Sequence, residues 1–176
     1  NVSYYIEKGY PEASVKEYML TILNSNFEEW RKANKTEDIS KFPFNLKKMS
    51  VSGALFDMVK FNDVSKNVIS VMTAEEVYDN VINWAKEYDE EFYNLIKNNK
   101  EYLTALLNIE RNTERPRMDI GSYSDVRKEF WYMFDELFNK DEKLYKDVNY
   151  SYDVSFIKDY FENIFDENDS EEDWFN

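Results

Sequence analysis

The side chains with the clearest chemical potential in this sequence are its unevenly placed cations. Lys47 and Lys48 are adjacent, Lys60 and Lys66 follow, and Arg111, Arg115 and Arg117 flank Pro116 with Arg127 beyond. Lysine is a compact point charge that suits a phosphate, while arginine on a rigid turn can fork onto a phosphate or stack on an unpaired base. Carboxylates are more numerous, with 36 Asp and Glu against 22 Lys and Arg. A carboxylate hydrolase needs two of them facing each other with separated proton affinities, and no such pair stands out. Asp89, Glu90 and Glu91 read as a helix start, where negative charge meets the macrodipole, and Asp166 to Asp173 reads as a solvated run. That run lacks the glycine and the ligand spacing of a Ca²⁺ loop. With no His and no Cys there is no imidazole base, thiol nucleophile, disulfide or thiolate metal site. Several standard kinds of catalytic machinery are therefore absent, and a self-contained carboxylate hydrolase is the enzyme class left open.

The formal net charge of −14 argues, taken whole, against a nucleic-acid partner. Its distribution changes that reading. Residues 31 to 66 carry 8 cations and 4 anions, whereas residues 135 to 176 carry 4 and 14. The one net-basic stretch lies between acidic neighbours. It is either part of an ordinary solvated surface or a contact strip on an otherwise repelling body.

The elements that must position these cations are read from apolar spacing and from end signals. Only 3 Gly and 3 Pro punctuate the chain, which argues for helices and against a sandwich, a barrel or a glycine-rich phosphate loop. Pro11 suits a helix start, and an apolar stripe predicts a helix over 11 to 24. Ser25 and Glu28 form a capping-box pattern for a short helix ending near Asn34. Residues 35 to 53 read as irregular connection. Asp63 is a plausible N-cap for a short helix carrying Val64, Val68 and Ile69, and Thr73 with Glu76 gives the clearest capping box. Further helices are expected over 89 to 98 and 100 to 112, then a break at Pro116, a helix capped by Ser122 or Ser124, and a last helix from near Asp153. The aromatic residues, 18% of the chain, are mostly at helical spacing and are expected in the core. No apolar run approaches the roughly 20 residues that span a bilayer, so no membrane partner is expected. The fold class is all-α, an irregular bundle of about seven to nine helices with a seam near residue 72.

Several segments then resemble one family. Lys48-Met49-Ser50, Ser52-Gly53-Ala54-Leu55-Phe56-Asp57 and Lys60-Phe61 are similar to the stem-contact element of bacterial-type class I glutamate–tRNA ligases. Tyr4 to Ala13 resembles the stretch that comes after the family's adenylate loop, and Asn108 to Arg111, Arg115 to Arg117 and Tyr132 to Phe138 resemble the start of its helical anticodon-binding region. Asp63 and Ser65 stand where the family commonly has Trp and Asn, and Phe61 stands where it has Leu.

The resemblance implies an aminoacyl-tRNA synthetase whose catalytic domain, with its ATP and Mg²⁺ chemistry, is outside this chain. The fragment itself would be inactive and hold no cofactor, with no catalytic, cofactor-binding or metal-ligating residue among its 176. Residues 1–72 would be a stem-contact subdomain and residues 73–176 the first part of an anticodon-binding domain, expected to be truncated. Its partners would be tRNA-Glu and its own N-terminal catalytic domain, with no DNA, in the cytoplasm. Lys47, Lys48, Lys60 and Lys66 would contact the RNA backbone, Arg111, Arg115, Arg117 and Arg127 the anticodon side, and Asp57 would cap a helix or pair with Lys60. The rival expectation is an acidic helical protein-interaction module with no RNA role.

Overall fold

A computed structural model describes residues 1–49, 55–138 and 155–170. Ser50, Ser52, Gly53 and Ala54, the expected helix start at Asp153 and the last six residues lie outside the described part. Two compact units divide the chain, Asn1–Phe138 and Asn139–Asn176, and the boundary expected at 72 falls inside the first. Among the described residues the elements are helical, with an isolated antiparallel bridge between Asn24 and Met49 and no strand. The all-α expectation holds.

The first unit begins with α1 (Val2–Glu7), a short helix for which the sequence pattern gave no separate signal. Gly9, at φ 76°, turns the chain into α2 (Glu12–Leu23), which starts behind Pro11 as expected. α3 (Phe27–Ala33) is present, but the Ser25 box is not: Asn26 is its N-cap and makes no side-chain capping bond. Asn24 takes over part of that work. It is 1% exposed, and its Oδ1 accepts from Asn26 N–H while its amide donates to the Asn45 carbonyl. The stretch expected to be irregular contains two 3₁₀ turns, Ile39–Lys41 and Leu46–Lys48.

α4 (Met58–Ser70) is one helix where the sequence suggested a later, shorter one. Its cap is Asp57, whose carboxylate accepts from Val59 N–H at 2.8 Å and Lys60 N–H at 3.2 Å, so Asp63 lies inside the helix. α5 (Ala74–Tyr88) opens with the Thr73–Glu76 box formed in both directions. α6 (Glu90–Ile96) and α7 (Lys100–Asn108) come next, α7 ending four residues short of the expectation. Beyond Pro116, α8 (Tyr123–Phe130) has Ser122 as its N-cap, with Asp125 reaching back to accept from Ser122 N–H at 2.9 Å. It closes at Phe130 into a 3₁₀ turn, Trp131–Met133.

Two groups of helices share this unit. α2 packs on α3 and α4, with Tyr18, Phe27 and Phe61 each 1% exposed. α5 packs on α6, α7 and α8 around Val77, Val81, Phe92, Leu103 and Val126, all fully buried. Ile69 of α4 belongs to that second core. The groups meet closely: Trp84 Nε1–H donates to the Glu7 carbonyl at 2.9 Å, Tyr123 N–H to the Gly9 carbonyl at 2.8 Å, and Ser65 Oγ to the Gly121 carbonyl at 2.6 Å. A β-carbon on Gly121 would run into the Asn62 side chain, so a residue without one is what lets this loop approach α4.

In the second unit the described element is α9 (Ser155–Asn163). Its apolar positions Phe156 and Phe161, with Ile164 just beyond, remain exposed.

Gly9 sets a testable point. An alanine there would be held at positive φ with its β-carbon 2.9 Å from Tyr123 Cβ. Gly9→Ala is expected to cost about 1 to 3 kcal/mol in urea unfolding, and Thr73→Ala about 1 kcal/mol through the lost cap.

Candidate nucleic-acid interface

The cations singled out from the sequence fall into environments that depend on side-chain type. Lys47 and Lys48 form the 3₁₀ turn that ends at Lys48, held by Asn45, whose side chain accepts from Lys47 N–H at 2.9 Å. The turn is pinned to the end of α2, since Ser25 N–H donates to the Lys48 carbonyl and Asn24 to the Asn45 carbonyl. Both lysine side chains are exposed. Lys60, in the first turn of α4, is half-buried and paired with Glu28 of α3. Lys47, Lys48 and Lys60 therefore border the start of α3, because Ser25 and Glu28 are one turn apart. Lys66 is also half-buried, further along α4. Lys32 and Lys35, not among the cations singled out from the sequence, are exposed at the end of α3. The excess of cations over residues 31 to 66 was the signal that could have found them.

Arg31 adds to the same net-basic count and is not available. Its Nη2 lies 2.6 Å from Glu17 Oε1, with both side chains under a fifth exposed, and its Nη1 donates to the Asn34 and Glu37 carbonyls. The guanidinium also sits over the Trp30 ring at 5.0 Å. Burial pushes the Glu17 carboxyl up, and the adjacent Arg31 pulls it down only in part. The pair fixes α3 on α2.

The arginines expected on the anticodon side divide in the same way. Arg115 is exposed on the turn before Pro116. Arg117 is half-buried, paired with Asp119 and placed 5.1 Å over the Phe130 ring. Arg127 of α8 reaches α6, with Nη1 at 2.7 and 2.9 Å from the two Asp89 oxygens and Nη2 at 2.5 Å from Glu91. Partial burial works against the Arg127 charge, but these carboxylates outweigh it and raise its pKa. Asp89 meanwhile caps α6, accepting from Phe92 N–H. Arg111 is only 6% exposed, and its bonds go to the carbonyls of Leu107, Ile69 and Met72. Burial lowers its pKa, with Asp119 opposing and Arg117 adding to the effect.

The arrangement can therefore present ammonium groups around α3 and one arginine at the 115 turn, while Arg31, Arg111 and Arg127 tie helices together. Among the described residues no group of acidic side chains could hold a metal ion, and no helix is long and apolar enough to cross a membrane. The Asp166 carboxylate is occupied by hydrogen bonds from the Asn168 main chain and side chain, which lower its pKa.

Against known proteins, no family model and no solved structure matches the chain. Curated relatives do. The glutamate–tRNA ligase of Acetivibrio thermocellus is 45% identical over 174 residues, 99% of this chain and 32% of that protein. That of Clostridium perfringens strain 13 is 51% identical over 140 residues, 80% of this chain and 26% of that protein. That of Clostridium beijerinckii is 40% identical, covering 99% of this chain and 32% of its own length. The chain thus spans between a quarter and a third of the length of the curated relatives it matches.

If the arginines hold helices and the exposed lysines do not, substitution separates them. Arg127→Met is expected to cost about 1 to 3 kcal/mol, because it leaves the partly buried Asp89 without its partner. Lys47→Met and Lys48→Met are each expected to stay within about 0.5 kcal/mol of the parent in urea unfolding.

Proposed function

We propose that this chain, which belongs to the glutamate–tRNA ligase family, is the part of such an enzyme that holds the tRNA. The observation that carries the reading is 40–51% identity to glutamate–tRNA ligases over 80–99% of the chain. The exposed lysines agree with a binding role. The whole cytoplasmic enzyme would charge tRNA-Glu with glutamate using ATP and Mg²⁺, and all of that chemistry would belong to a catalytic domain outside these residues.

In this reading residues 1–72 are the stem-contact subdomain and residues 73–176 the start of the anticodon-binding domain. Lys47 and Lys48 set the register by contacting backbone phosphates, with Lys66 beside them and Lys60 available once Glu28 yields it to RNA. Arg115 and Arg117 face the anticodon, where a guanidinium can stack on or fork to an unstacked base. Arg111 and Arg127 serve that side from within, by holding α7 and α8 in place.

The test is a titration of the chain with tRNA-Glu and an unrelated tRNA at about 50 and 200 mM salt. Binding is expected to weaken steeply with salt. Lys47→Glu with Lys48→Glu should lower the affinity and reduce the log–log salt slope by about two. Binding that ignores salt, or that survives the charge reversal unchanged, overturns the assignment.

A further inference from the structure

Within the first unit, only Val71, Met72 and Thr73 join α4 to α5, and so join the α1–α4 group to the α5–α8 group along the chain. A link this short leaves the angle between the groups to non-covalent contacts. Ser65, Gly9 and Trp84 each contribute a single hydrogen bond to or from main chain across the junction. Arg111 contributes more. One guanidinium gathers the carbonyls of Leu107 at 2.7 Å, Ile69 at 2.8 Å and Met72 at 3.2 Å.

These three acceptors sit where the geometry between the groups is decided. Leu107 is in the last turn of α7, Ile69 is in the last turn of α4, and Met72 is in the link itself. Carbonyls at helix C-termini carry the negative end of the macrodipole, so a single buried cation meets both helix ends together, at Ile69 beside the Met72 N–H that the same carbonyl accepts at 3.1 Å. A planar fork fixes direction as well as distance, which an ammonium group does not. The preceding residue, Glu110, has φ 55°, a left-handed conformation that is strained outside glycine. The chain accepts that strain at the residue that turns Arg111 inward.

We propose that Arg111 is a positioning residue that fixes the angle between the α1–α4 and α5–α8 groups. It thereby fixes the spacing between the Lys47–Lys48 turn and the Arg115–Arg117 turn. The claim about spacing rests on the tRNA reading above; the claim about the angle does not.

The chain has no cysteine, so Lys32→Cys on α3 and Glu101→Cys on α7, both at exposed positions, give a specific label pair for a distance distribution. Arg111→Met and Arg111→Lys are compared with Leu103→Ala, which damages the α5–α8 core away from the junction. Each is measured at a temperature where it is folded. The Arg111 variants are expected to broaden the distribution, about twofold for Met and less for Lys, while Leu103→Ala leaves it unchanged. If the Met variant does not fold, the Lys variant decides. An unchanged width in the Arg111 variants, or equal broadening in Leu103→Ala, overturns the proposal.

A second arm measures affinity for tRNA-Glu and for a short RNA hairpin able to reach only one turn. Arg111→Lys should weaken tRNA by about tenfold and leave the hairpin unchanged. Broadening with no loss of tRNA affinity overturns the spacing claim. Broadening in a chain whose parent binds no tRNA supports the angle claim and overturns the functional reading.

Discussion

A buried hydroxyl must find partners, and at Ser65 that requirement draws three parts of the chain to one point. The residue is fully buried, its Oγ lies 2.6 Å from the Gly121 carbonyl and 2.8 Å from Ser14 Oγ, and Ser14 is equally buried on α2. One Ser65 proton serves the carbonyl, which leaves the Ser14 proton for Ser65. A β-carbon on Gly121 would strike Asn62 Oδ1, so any larger residue there would force the Asn62 side chain to move. The small side chain at position 65 goes with the close approach of both α2 and the 120 loop to α4.

From that closeness comes the way charge is used. Where helices meet, arginine supplies the cation: Arg31 between α3 and α2, Arg127 between α8 and α6, Arg111 between α7 and the α4 end. A guanidinium holds several acceptors in fixed directions and is less strongly hydrated than an ammonium, so it suits positions with little water. Lysine lies further out, exposed at Lys47 and Lys48, half-buried at Lys60 and Lys66, or in exposed pairs such as Lys16 with Glu12, which contribute little stability. A chain with net charge −14 can in this way keep exposed cations at Lys47, Lys48 and Arg115 while Arg31, Arg111 and Arg127 are held between helices.

Local signals were legible wherever a few neighbouring residues decide the outcome. The Thr73–Glu76 box and the Pro11 start both appear in the structure, because each depends on hydrogen bonds or ring sterics within one turn, whereas α7 already ends at Asn108, well before Pro116. Signals that compete with distant partners were not legible. Ser25 carries a capping pattern, yet the buried amide of Asn24, tied to Asn45 far along the chain, sets the chain path at that turn. Asp63 resembles a cap, but the Tyr18 hydroxyl receives Asp57 N–H at 2.7 Å and the helix starts there instead. Arg111, which by residue type belongs at the surface, turned inward because two helix ends leave carbonyls that only tertiary packing brings together.

By itself the sequence determined that the chain is helical, that it lacks imidazole and thiol chemistry, that its cations are concentrated over 31 to 66, and that it resembles the glutamate–tRNA ligases. Those properties depend on residue identity and short-range spacing, which a sequence states directly. Tertiary structure alone decided which cations are free. Whether a side chain meets solvent, a carboxylate or a buried carbonyl depends on groups 14, 38 or 42 residues away, as at Arg31, Arg127 and Arg111, and no local pattern encodes that distance.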